Sequence, residues 1–534
     1  MEFRPASAGM RVMSNLLTDA IFTAKNRSGA QLELSLPALY VEMAADNLDE
    51  LCALRPHQQG AMHAFLAQLG FLACEKAGLE VLPTIESQWR DALRQLSTAW
   101  PGDEPWQLFV PDLAQPAFLQ PPPGKSPLKN QIDFADQVDM LVTSKNHDLK
   151  QRLFASDRAE DWALALISLQ TQEGFLGAGN FGIARMNGGF ANRSYITIAD
   201  ASFGFGGRVA RDIRCLLQNP GQVYRNSFLG SEDGCSLLWT VPWDGESALS
   251  LKHLHPMFIE VCRRIRLRRN DAGKWVAHAG SSKCARIDAK TMAGNVGDPW
   301  LALDVEKEPK AMTLAADGFS YRRVHRLLFD SKKYAFPWLA EPSRLDGESD
   351  LVLECMGLVR GQGKTEGVHK RRVFLPTRSV QLFQCGQRQL LAQRSEKMLN
   401  LCASAQGKAL RPALIQLAQG TEDVSWAKPS NDKLCKPWLD RFEAEVDRHF
   451  YTELFNSVEL DEQLADAKLS QLLARWARDA LTAASMSMPG NESRKDLALG
   501  RARQLLESAL RKQLPLLPAK AATQPFDTQL EPST

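Results

Sequence analysis

The sequence lacks several features that would assign a class of protein at once. Its 534 residues contain ten cysteines but no Cys-x-x-Cys pair, and 64 basic against 62 acidic residues give a net charge of only +2. Scattered cysteines predict reduced, mostly buried thiols and no structural zinc. No apolar leader and no long apolar run occur, so we expect a cytoplasmic protein without a membrane span. Any binding to nucleic acid must rest on local patches.

Catalytic signatures are missing as well. We find no Ser–His–Asp arrangement, no paired catalytic carboxylates and no cluster of metal ligands in the sequence. The members of a triad can be distant in sequence, so these absences alone do not decide whether the protein is an enzyme. We expect neither a cofactor nor a metal.

A glycine-rich segment, residues 174–189, is the most informative feature that is present, and we call it the glycine stretch. Six glycines in sixteen residues let a backbone adopt positive φ angles and approach another surface closely. The spacing Gly177-x-Gly179-x-x-Gly182 matches a dinucleotide-binding fingerprint, which follows a strand and opens a helix. Here a helix is predicted before the spacing and none after it. A loop that offers its backbone to an extended partner is the better interpretation.

A second glycine-rich segment, residues 361–367, ends like a phosphate-binding P-loop at Gly363-Lys364-Thr365. A complete P-loop would need its first glycine at position 358, where this chain has Leu358. The backbone cradle around a phosphate does not tolerate another length, and no helix is predicted afterwards. A P-loop nucleotidase and a dinucleotide-dependent enzyme stay open as alternative functions.

Two polar segments could contact nucleic acid. One is a loop whose residues suit phosphate or base-edge contacts, a solvated loop being the simpler alternative: Lys145, Asn146, His147 and Lys150. The other is a predicted strand whose alternation puts three arginines on one face: Arg264, Arg266 and Arg268. That face is either solvated or a track for a phosphate backbone.

The order of predicted elements is typical of an α+β protein. Residues 16–36 predict a hairpin, residues 60–77 and 85–98 predict helices, and strands are predicted at Tyr195–Ile198, Ser236–Val241, Phe258–Cys262 and Leu351–Cys355. From about residue 376 four amphipathic helices follow, over Val380–Ser404, Pro437–Ser457, Asp461–Met486 and Asn491–Leu514. Four such helices pack most simply as a bundle.

These patterns predict four regions. Residues 16–375 form a mixed α/β domain that carries the candidate contact loops, and residues 376–514 form a four-helix bundle. Residues 1–15 are predicted to be an N-terminal extension, and residues 515–534 a flexible tail.

Taken together, the segments resemble the large subunit of the type I-E CRISPR surveillance complex, Cascade, a family called CasA. The likeness extends in order over residues 13–514 and rests on Asn15-Leu-Leu-Thr-Asp19, Ser35-Leu-Pro-Ala-Leu-Tyr40, Thr143–Lys150, the glycine stretch, Gly297-Asp-Pro-Trp300, Lys310-Ala-Met-Thr-Leu314, Asp317-Gly-Phe-Ser-Tyr-Arg322 and Arg448-His-Phe-Tyr451.

The resemblance implies a mixed N-terminal domain, a C-terminal bundle and no catalytic activity. It implies a subunit of antiviral defence that recognises a short protospacer-adjacent motif in duplex DNA, starts to open the helix and guides the displaced strand. RNA–DNA pairing would supply the remaining specificity. The implied partners are guide RNA, target DNA, the small and backbone Cascade subunits and a recruited helicase-nuclease.

The resemblance also implies roles for individual residues. The glycine loop that contacts DNA is similar to Gly177, Ala178, Gly179 and Asn180. The wedge that enters the duplex looks like Gln362, beside Gly363 and Lys364, and the lysine finger in the minor groove looks like Lys290, with Lys283 as its rival. The loop that contacts the guide RNA looks like Lys145, Asn146, His147 and Lys150.

Two further expectations complete the set. Some family members bind zinc through cysteines, but Cys262 and Cys284 alone cannot rebuild that site. The last predicted helix is rich in basic residues, of which Arg501, Arg503 and Arg511 are candidates for contacting the displaced strand. A face that only improves solubility is the alternative.

Overall fold

A computed structural model of the chain describes residues 14–138, 158–189, 191–226, 228–361, 364–420, 424–488 and 495–515. Most of the predicted N-terminal extension and of the predicted tail lies outside these residues. The chain divides into two compact units: unit 1 is Met1–Phe319 with Arg326–Thr377, and unit 2 is Ser320–His325 with Arg378–Thr534. Among the described residues, no helix is both long and apolar enough to cross a bilayer.

Unit 1 mixes helices with several small sheets, which agrees with the predicted α+β class. The predicted hairpin is present: β1 (Phe22–Asn26) pairs antiparallel with β2 (Gln31–Leu34), and β3 (Leu48–Leu51) pairs with the other edge of β1. Helix α1 (Leu36–Ala44) begins after Ser35, whose side chain accepts a hydrogen bond from the amide of Ala38 at 3.2 Å. This cap satisfies one of the free amides at the start of a helix.

The helices of unit 1 surround one extended apolar core. They are α2 (Gln59–Lys76), α3 (Glu86–Gln95), α4 (Ala159–Gln172), α5 (Phe205–Gln218), the single turn α6 (Pro220–Val223) and α7 (Tyr321–Phe329), of which the first residues belong to unit 2. Helix α2 is buried on almost every side. Five tryptophans are completely buried in this core: Trp89, Trp106, Trp162, Trp239 and Trp300.

The remaining strands of unit 1 form five small sheets. Their bounds are β4 (Asn130–Ile132), β5 (Tyr195–Asp200), β6 (Cys235–Leu237), β7 (Leu249–Ser250), β8 (Leu254–Ile259), β9 (Arg264–Arg269), β10 (Trp275–Gly280), β11 (Ile287–Asp288), β12 (Leu303–Asp304), β13 (Lys310–Ala311), β14 (Tyr334–Ala335), β15 (Leu351–Gly361) and β16 (Lys364–Leu375). The sheet that matters most here has the order β16-β15-β5, and all its pairings are antiparallel.

One predicted strand is shorter than expected. The sequence predicts a strand over Ser236–Val241, but β6 ends at Leu237 and a 3-10 turn occupies Leu238–Thr240. The hydroxyl of Thr240 donates to the carbonyl of Leu237 at 2.8 Å. This local side-chain bond competes with strand pairing and closes the turn.

A buried carboxylate ties several elements of unit 1 together. Asp212 of α5 is fully buried and lies 2.7 Å from the imidazole of His63 on α2. It also accepts hydrogen bonds from Thr197 of β5 at 3.0 Å and from the indole of Trp300 at 2.8 Å. Every partner of a buried charge must be in place, so this site fixes how α2, α5 and β5 pack.

Unit 2 is a four-helix bundle, as predicted. Its helices are the short α8 (Thr377–Gln384), α9 (Arg388–Ser404), α10 (Arg411–Gln419), α11 (Ser430–Asn456), α12 (Glu462–Ser487) and α13 (Lys495–Gln513). A π-helical segment, Ala405–Leu410, joins α9 and α10 into one long helix. The prediction that α12 begins at Asp461 is confirmed, because the Asp461 side chain accepts from the amide of Gln463 at 2.9 Å.

One predicted helix boundary in unit 2 is wrong, and another helix continues beyond its predicted end. The α-helix α9 ends at Ser404 as predicted, but the wide π turn continues the helix past Pro412, whose missing N–H would interrupt a regular helix. The second helix does not begin at Pro437 but at Ser430, which leaves Pro437 inside the helix. In its first turn, the buried side chain of Asn431 accepts a hydrogen bond from the side chain of Gln419 on α10 at 3.1 Å.

Candidate nucleic-acid interface

The glycine stretch leaves the carboxyl end of α4 and folds back on itself. The amide of Phe175 donates to the carbonyl of Gly189 at 3.0 Å, so the two ends of the stretch lie side by side. At the tip, Leu176 donates to Asn180 at 2.9 Å, and Asn180 donates to Gly177 at 3.0 Å. A helix precedes the stretch and β5 is the next regular element described after it. This is not the context of a dinucleotide-binding loop.

Glycine is required at two positions of this turn. Gly177 has a φ of 105° and Gly179 a φ of 82°, a region that residues with a side chain rarely adopt. A Cβ atom at Gly179 would also lie 2.5 Å from the Cβ of Ser281, whereas a Cβ at Gly177 would meet no atom within 4 Å. Gly177 and the exposed Ala178 therefore form the open tip of the turn, and Gly179 forms its packed side.

The segment that carries Lys283 packs against this turn. The amide of Ser282 donates to the carbonyl of Gly179 at 3.0 Å, and the amide of Lys283 donates to the carbonyl of Gly245 at 2.7 Å. The Lys283 ammonium lies 2.8 Å from the Glu246 carboxylate. This hydrogen bond raises the pKa of Lys283, although its side chain is exposed. Lys283, one of the two candidate lysines, therefore already has an ion-pair partner.

The segment that carries Lys290 packs against a later part of the stretch. Lys290 opens a 3-10 turn, and a Cβ atom at the nearby Gly294 would lie 2.7 Å from the carbonyl carbon of Met186. Lys290 is exposed, and its ammonium has no hydrogen-bond or ion-pair partner among the residues that the structure describes. It can therefore bind an anionic ligand without first breaking an ion pair.

The second half of the stretch and both lysine segments line one groove of about 500 Å³. Its apolar lining consists of Phe175, Phe181, Ile183, Met186, Ala248, Ala285, Ile287 and Ala289. Its charged lining consists of Lys283, Lys290 and Asp288. The structure thus brings the glycine stretch together with both lysine candidates, which are distant from it in sequence. The predicted roles of Gly177, Ala178, Gly179, Asn180 and Lys290 in DNA binding stay predictions.

In the sequence, the predicted wedge residues follow β15 and lead into β16. The strands pair in register from Leu351 opposite Leu375 to Gly361 opposite Lys364. Gln362 and Gly363 lie outside the described residues, and Lys364 is described only through its backbone, as the first residue of β16. Because a strand and not a helix follows Gly363-Lys364-Thr365, this segment lacks the structure of a P-loop.

Four buried ion pairs hold the glycine stretch and the residues on either side of it in place. Before its first residue, Glu173 lies 3.3 Å from Arg263 and 3.0 Å from Arg360. In its second half, Arg185 lies 3.1 Å from Glu260. After its last residue, Arg193 forms a bidentate pair with Asp298, at 2.6 and 2.8 Å. Buried charges are stable only when they are paired in this way, so the stretch has a defined position.

Burial shifts the ionisation of these groups in both directions. Burial raises the pKa of the Glu260 carboxyl, and the nearby Arg185 opposes this shift. Burial lowers the pKa of Arg185. Burial alone would also lower the pKa of Arg193, but Asp298 and other partners raise it above its ordinary value. Arginine stays protonated throughout the accessible pH range, so these guanidinium groups remain donors.

The burial of two arginines in β9 contradicts both interpretations of this strand from the sequence, a solvated face and a track for a phosphate backbone. Arg264 and Arg266 are buried, so they form neither a solvated face nor a phosphate track, and only Arg268 is exposed. Arg264 donates to the carbonyls of Trp243, Ser281, Pro123 and Ser126, at 2.7 to 3.1 Å. Arg266 donates to the carbonyls of Gln115, Gln120 and Val110. Each guanidinium therefore donates hydrogen bonds to backbone carbonyl groups of loops.

The basic residues of α13 occupy different environments. Arg503 and Arg511 are exposed, and Arg501 is half-buried. Glu507 of the same helix forms a bidentate pair with Arg478, at 2.6 and 2.9 Å. The buried side of the helix is a narrow apolar stripe: Ala498, Ala502, Leu506 and Leu510. The predicted contacts of Arg501, Arg503 and Arg511 with a displaced strand stay predictions.

Two further expectations concern RNA and zinc. Lys145, Asn146, His147 and Lys150 lie outside the described residues. Cys262 is buried, its thiol lies 3.1 Å from the carbonyl of Leu169, and burial raises its pKa to about 12. No group of three or more potential metal ligands occurs among the described residues.

Sequence reasoning missed the residues that support the site. Glu173, Glu260 and Asp298 were not candidates, although Glu173 directly precedes the first glycine of the stretch and Asp298 lies in the segment Gly297–Trp300. An acidic residue next to a glycine-rich loop is compatible with a buried ion pair that holds the loop in place. The sequence does not indicate which arginines pair with Glu173, because Arg263, just before β9, and Arg360, in β15, are both distant from it in the sequence.

Comparison with known proteins agrees with this architecture. Residues 237–486 match the sequence model of a family described as CRISPR-associated protein Cse1. No curated protein matches the chain significantly. Among solved structures, Cse1 from Thermobifida fusca has a TM-score of 0.64 and 16% identity, over 94% of this chain and 98% of its own.

Two other solved structures have the same fold. CasA (Cse1) from Thermus thermophilus gives a TM-score of 0.59 at 16% identity, over 93% of this chain and 99% of its own. A chain from a CRISPR RNA-guided surveillance complex gives 0.57 at 13% identity, over 92% and 99%. At such identities the likeness establishes the fold. Residues 237–486 therefore match the CRISPR-associated Cse1 family, and nearly the whole chain has the fold of solved proteins named Cse1 or CasA.

Proposed function

We propose that the chain is the non-catalytic large subunit of a type I-E RNA-guided surveillance complex, Cascade, in the cytoplasm. In this role it recognises a protospacer-adjacent motif in duplex DNA and starts to open the duplex. The observation that carries the proposal is the groove of unit 1, where the glycine stretch meets Lys290. The match of residues 237–486 to the Cse1 family supports this setting, as does the shared fold with a chain of a solved CRISPR RNA-guided surveillance complex.

The chemistry of this groove suits the minor groove of DNA. That groove presents few distinct donors and acceptors, so a close-approaching backbone and a flexible lysine can read it permissively. The open tip at Gly177 and Ala178, which is not part of the groove lining, leaves backbone accessible. The ammonium of Lys290 has no partner among the described residues and can contact an acceptor or a phosphate. Gln362, which follows β15 in the sequence, is our candidate for the wedge that separates the first base pair, with Gly363 and Lys364 next to it in the sequence.

The remaining roles concern the partners. We propose that Lys145, Asn146, His147 and Lys150 contact the guide RNA and that Arg501, Arg503 and Arg511 follow the displaced strand. The small and backbone subunits and a recruited helicase-nuclease complete the assembly. The domain limits that we propose are 16–375 for the DNA-contacting domain and 376–514 for the bundle.

Reconstitution with and without guide RNA tests the proposal. The chain is assembled with guide RNA and the other subunits, and binding of duplexes that differ only in the motif is measured at fixed salt. We expect motif-dependent binding by the assembled complex and little by the chain alone. We also expect Gln362→Ala to weaken strand opening while the protein melts at the same temperature.

The competing functions make different predictions. Tight, motif-dependent binding by the isolated chain would contradict the proposal. Saturable binding of ATP or NAD by the isolated chain would instead support a nucleotidase or a dinucleotide-dependent enzyme.

A further inference from the structure

One carboxylate connects the glycine stretch to the β15–β16 hairpin. Glu173 directly precedes Gly174, its side chain is 2% exposed, and two guanidinium groups approach it. Arg263 lies 3.3 Å from one carboxylate oxygen and Arg360 3.0 Å from the other. Arg360 is the second-last residue of β15, next to the paired end of the hairpin.

The two arginines join Glu173 to different elements. Arg263 also donates to the carbonyl of Gly174 at 2.6 Å and to the carbonyl of Phe181, so it spans the stretch. Its own amide donates to the Gln170 side chain of α4 at 2.8 Å, which fixes its backbone. Arg360, by contrast, is part of the hairpin.

Burial makes this junction stiff. The side chains of Arg263 and Arg360 are 8% and 7% exposed, so water cannot replace either ion pair at low cost. Moving the hairpin end away from the stretch would leave a buried guanidinium without its carboxylate, which is strongly unfavourable. The spacing between the stretch and the hairpin end is therefore set through Glu173.

We infer that Glu173 is a positioning residue that couples the glycine stretch to the hairpin, so that motif binding at the stretch and strand separation at the hairpin depend on one carboxylate. This inference rests on the proposed function. Glu173 touches neither strand of the DNA in this role, since it acts through Arg263 on one side and Arg360 on the other.

The test separates motif binding from strand opening in the assembled complex. Motif binding is measured as affinity for a duplex that carries the motif but no sequence complementary to the guide. Strand opening is measured with a fluorescent base analogue beside the motif in a complementary target. Arg360→Met removes only the ion pair between Glu173 and the hairpin, and Glu173→Gln weakens the ion pairs with both Arg263 and Arg360. The matched control is Arg372→Met, which changes an arginine of the same hairpin that pairs with Glu354 instead.

We expect Arg360→Met to leave motif affinity within about twofold and to slow strand opening by at least about fivefold, the lower end of typical couplings between sites. Glu173→Gln should reduce both. Because Arg360 would act through the hairpin, adding Arg360→Met to Gln362→Ala should slow opening little beyond Gln362→Ala alone. Arg372→Met should change neither readout.

Several results would overturn the inference. The first is that Arg360→Met, like Arg372→Met, changes neither readout. The second is that Arg360→Met lowers motif affinity and the rate of strand opening equally at an unchanged melting temperature. The third is that the effects of Arg360→Met and Gln362→Ala on strand opening are additive. If Arg360→Met does not fold, Arg360→Lys is measured instead, because it keeps the charge with fewer hydrogen-bond donors. This variant must also slow strand opening while leaving motif affinity within about twofold. If the unmodified complex shows no motif dependence at all, the proposed function fails and not this coupling alone.

Discussion

The backbone amide of Ser282 donates to the carbonyl oxygen of Gly179 at 3.0 Å. Through this bond the segment that leads to Lys283 is attached to the turn at the tip of the glycine stretch. A change in the turn therefore acts on its neighbour as well as on its own backbone, and the two glycines of the turn should respond differently to substitution.

Replacing Gly177 and Gly179 with alanine should separate binding from stability. Gly179→Ala combines a positive φ with a clash against Ser281, so it should lower the free energy of unfolding by about 1–3 kcal/mol and weaken motif binding. Gly177→Ala has space for its methyl group and should cost less stability, while the added methyl obstructs close approach of DNA. Thermal melting and motif affinity of the assembled complex check both.

Gly500→Ala is the matched control for these variants, because a Cβ at Gly500 of α13 meets no atom within 4 Å. It should change neither motif affinity nor, except for a small helix stabilisation, the melting temperature. Equal motif affinities for Gly177→Ala and the unmodified chain would remove the turn from the DNA interface.

The two candidate lysines should differ in their effect. Lys290→Ala should weaken motif binding by the complex by about tenfold, because its ammonium has no partner among the described residues. Lys283→Ala should change affinity by less than about twofold, since the Glu246 carboxylate at 2.8 Å already offsets the charge of Lys283. Fluorescence anisotropy with a labelled motif duplex measures both. The opposite order of effects would make Lys283 the finger.

Charge reversal on the bundle tests the path of the displaced strand. Arg501→Glu, Arg503→Glu and Arg511→Glu together should flatten the salt dependence of R-loop stability, by about 0.7 of a log unit per lost phosphate contact. Motif recognition should survive, because the groove lies in unit 1. The reversals Lys433→Glu and Lys436→Glu on α11 serve as the control. An unchanged salt slope in the triple variant would leave α13 as a solvated face.

Acid should weaken the contact between the hairpin and α5. Burial alone would raise the pKa of Glu354, but Arg208 and Lys370 lower it below its ordinary value. A lowered carboxyl pKa stabilises the fold fully above about pH 4.3, and the contribution is lost as the pH falls through the folded-state value. Glu354→Gln should therefore lower the free energy of unfolding by about 1–3 kcal/mol at pH 7, and the difference should shrink below about pH 4.

Melting curves from pH 3 to pH 8 measure this dependence. Glu459→Gln is the control, because Glu459 and its partner Arg378 are 65% and 61% exposed, and such pairs contribute little. A pH-independent difference between Glu354→Gln and the unmodified chain would show that the substitution acts through packing and not through charge.

The sequence was sufficient to predict secondary-structure elements that are determined by residues close to them in the chain. The Asp461 cap starts α12 as expected, and the helical pattern before Gly174 correctly argued against a dinucleotide site. Boundaries that depend on distant contacts were missed, since nothing near Pro437 reveals that α11 begins at Ser430, where the buried Asn431 side chain accepts a hydrogen bond from Gln419 of α10. Periodicity reports which residues share a face, and it does not report what covers that face.

The same limit explains the site. Strand alternation placed Arg264 and Arg266 on one face correctly, but it could not show that loops bury this face. The loops carry unpaired carbonyls, and only the folded chain brings them to the guanidinium groups. The meeting of Lys290 with the glycine stretch depends equally on tertiary packing, through Gly294 and Met186.

The burial of Arg264 has an electrostatic consequence. Its guanidinium donates to four carbonyls, Ser281 beside the groove among them, and no carboxylate lies within ion-pair distance in the described chain. Mobile ions screen an exposed lysine, but they cannot surround a charge that the protein encloses. We therefore expect part of the attraction of this groove for a polyanion to persist at salt concentrations that cancel the contribution of its surface lysines.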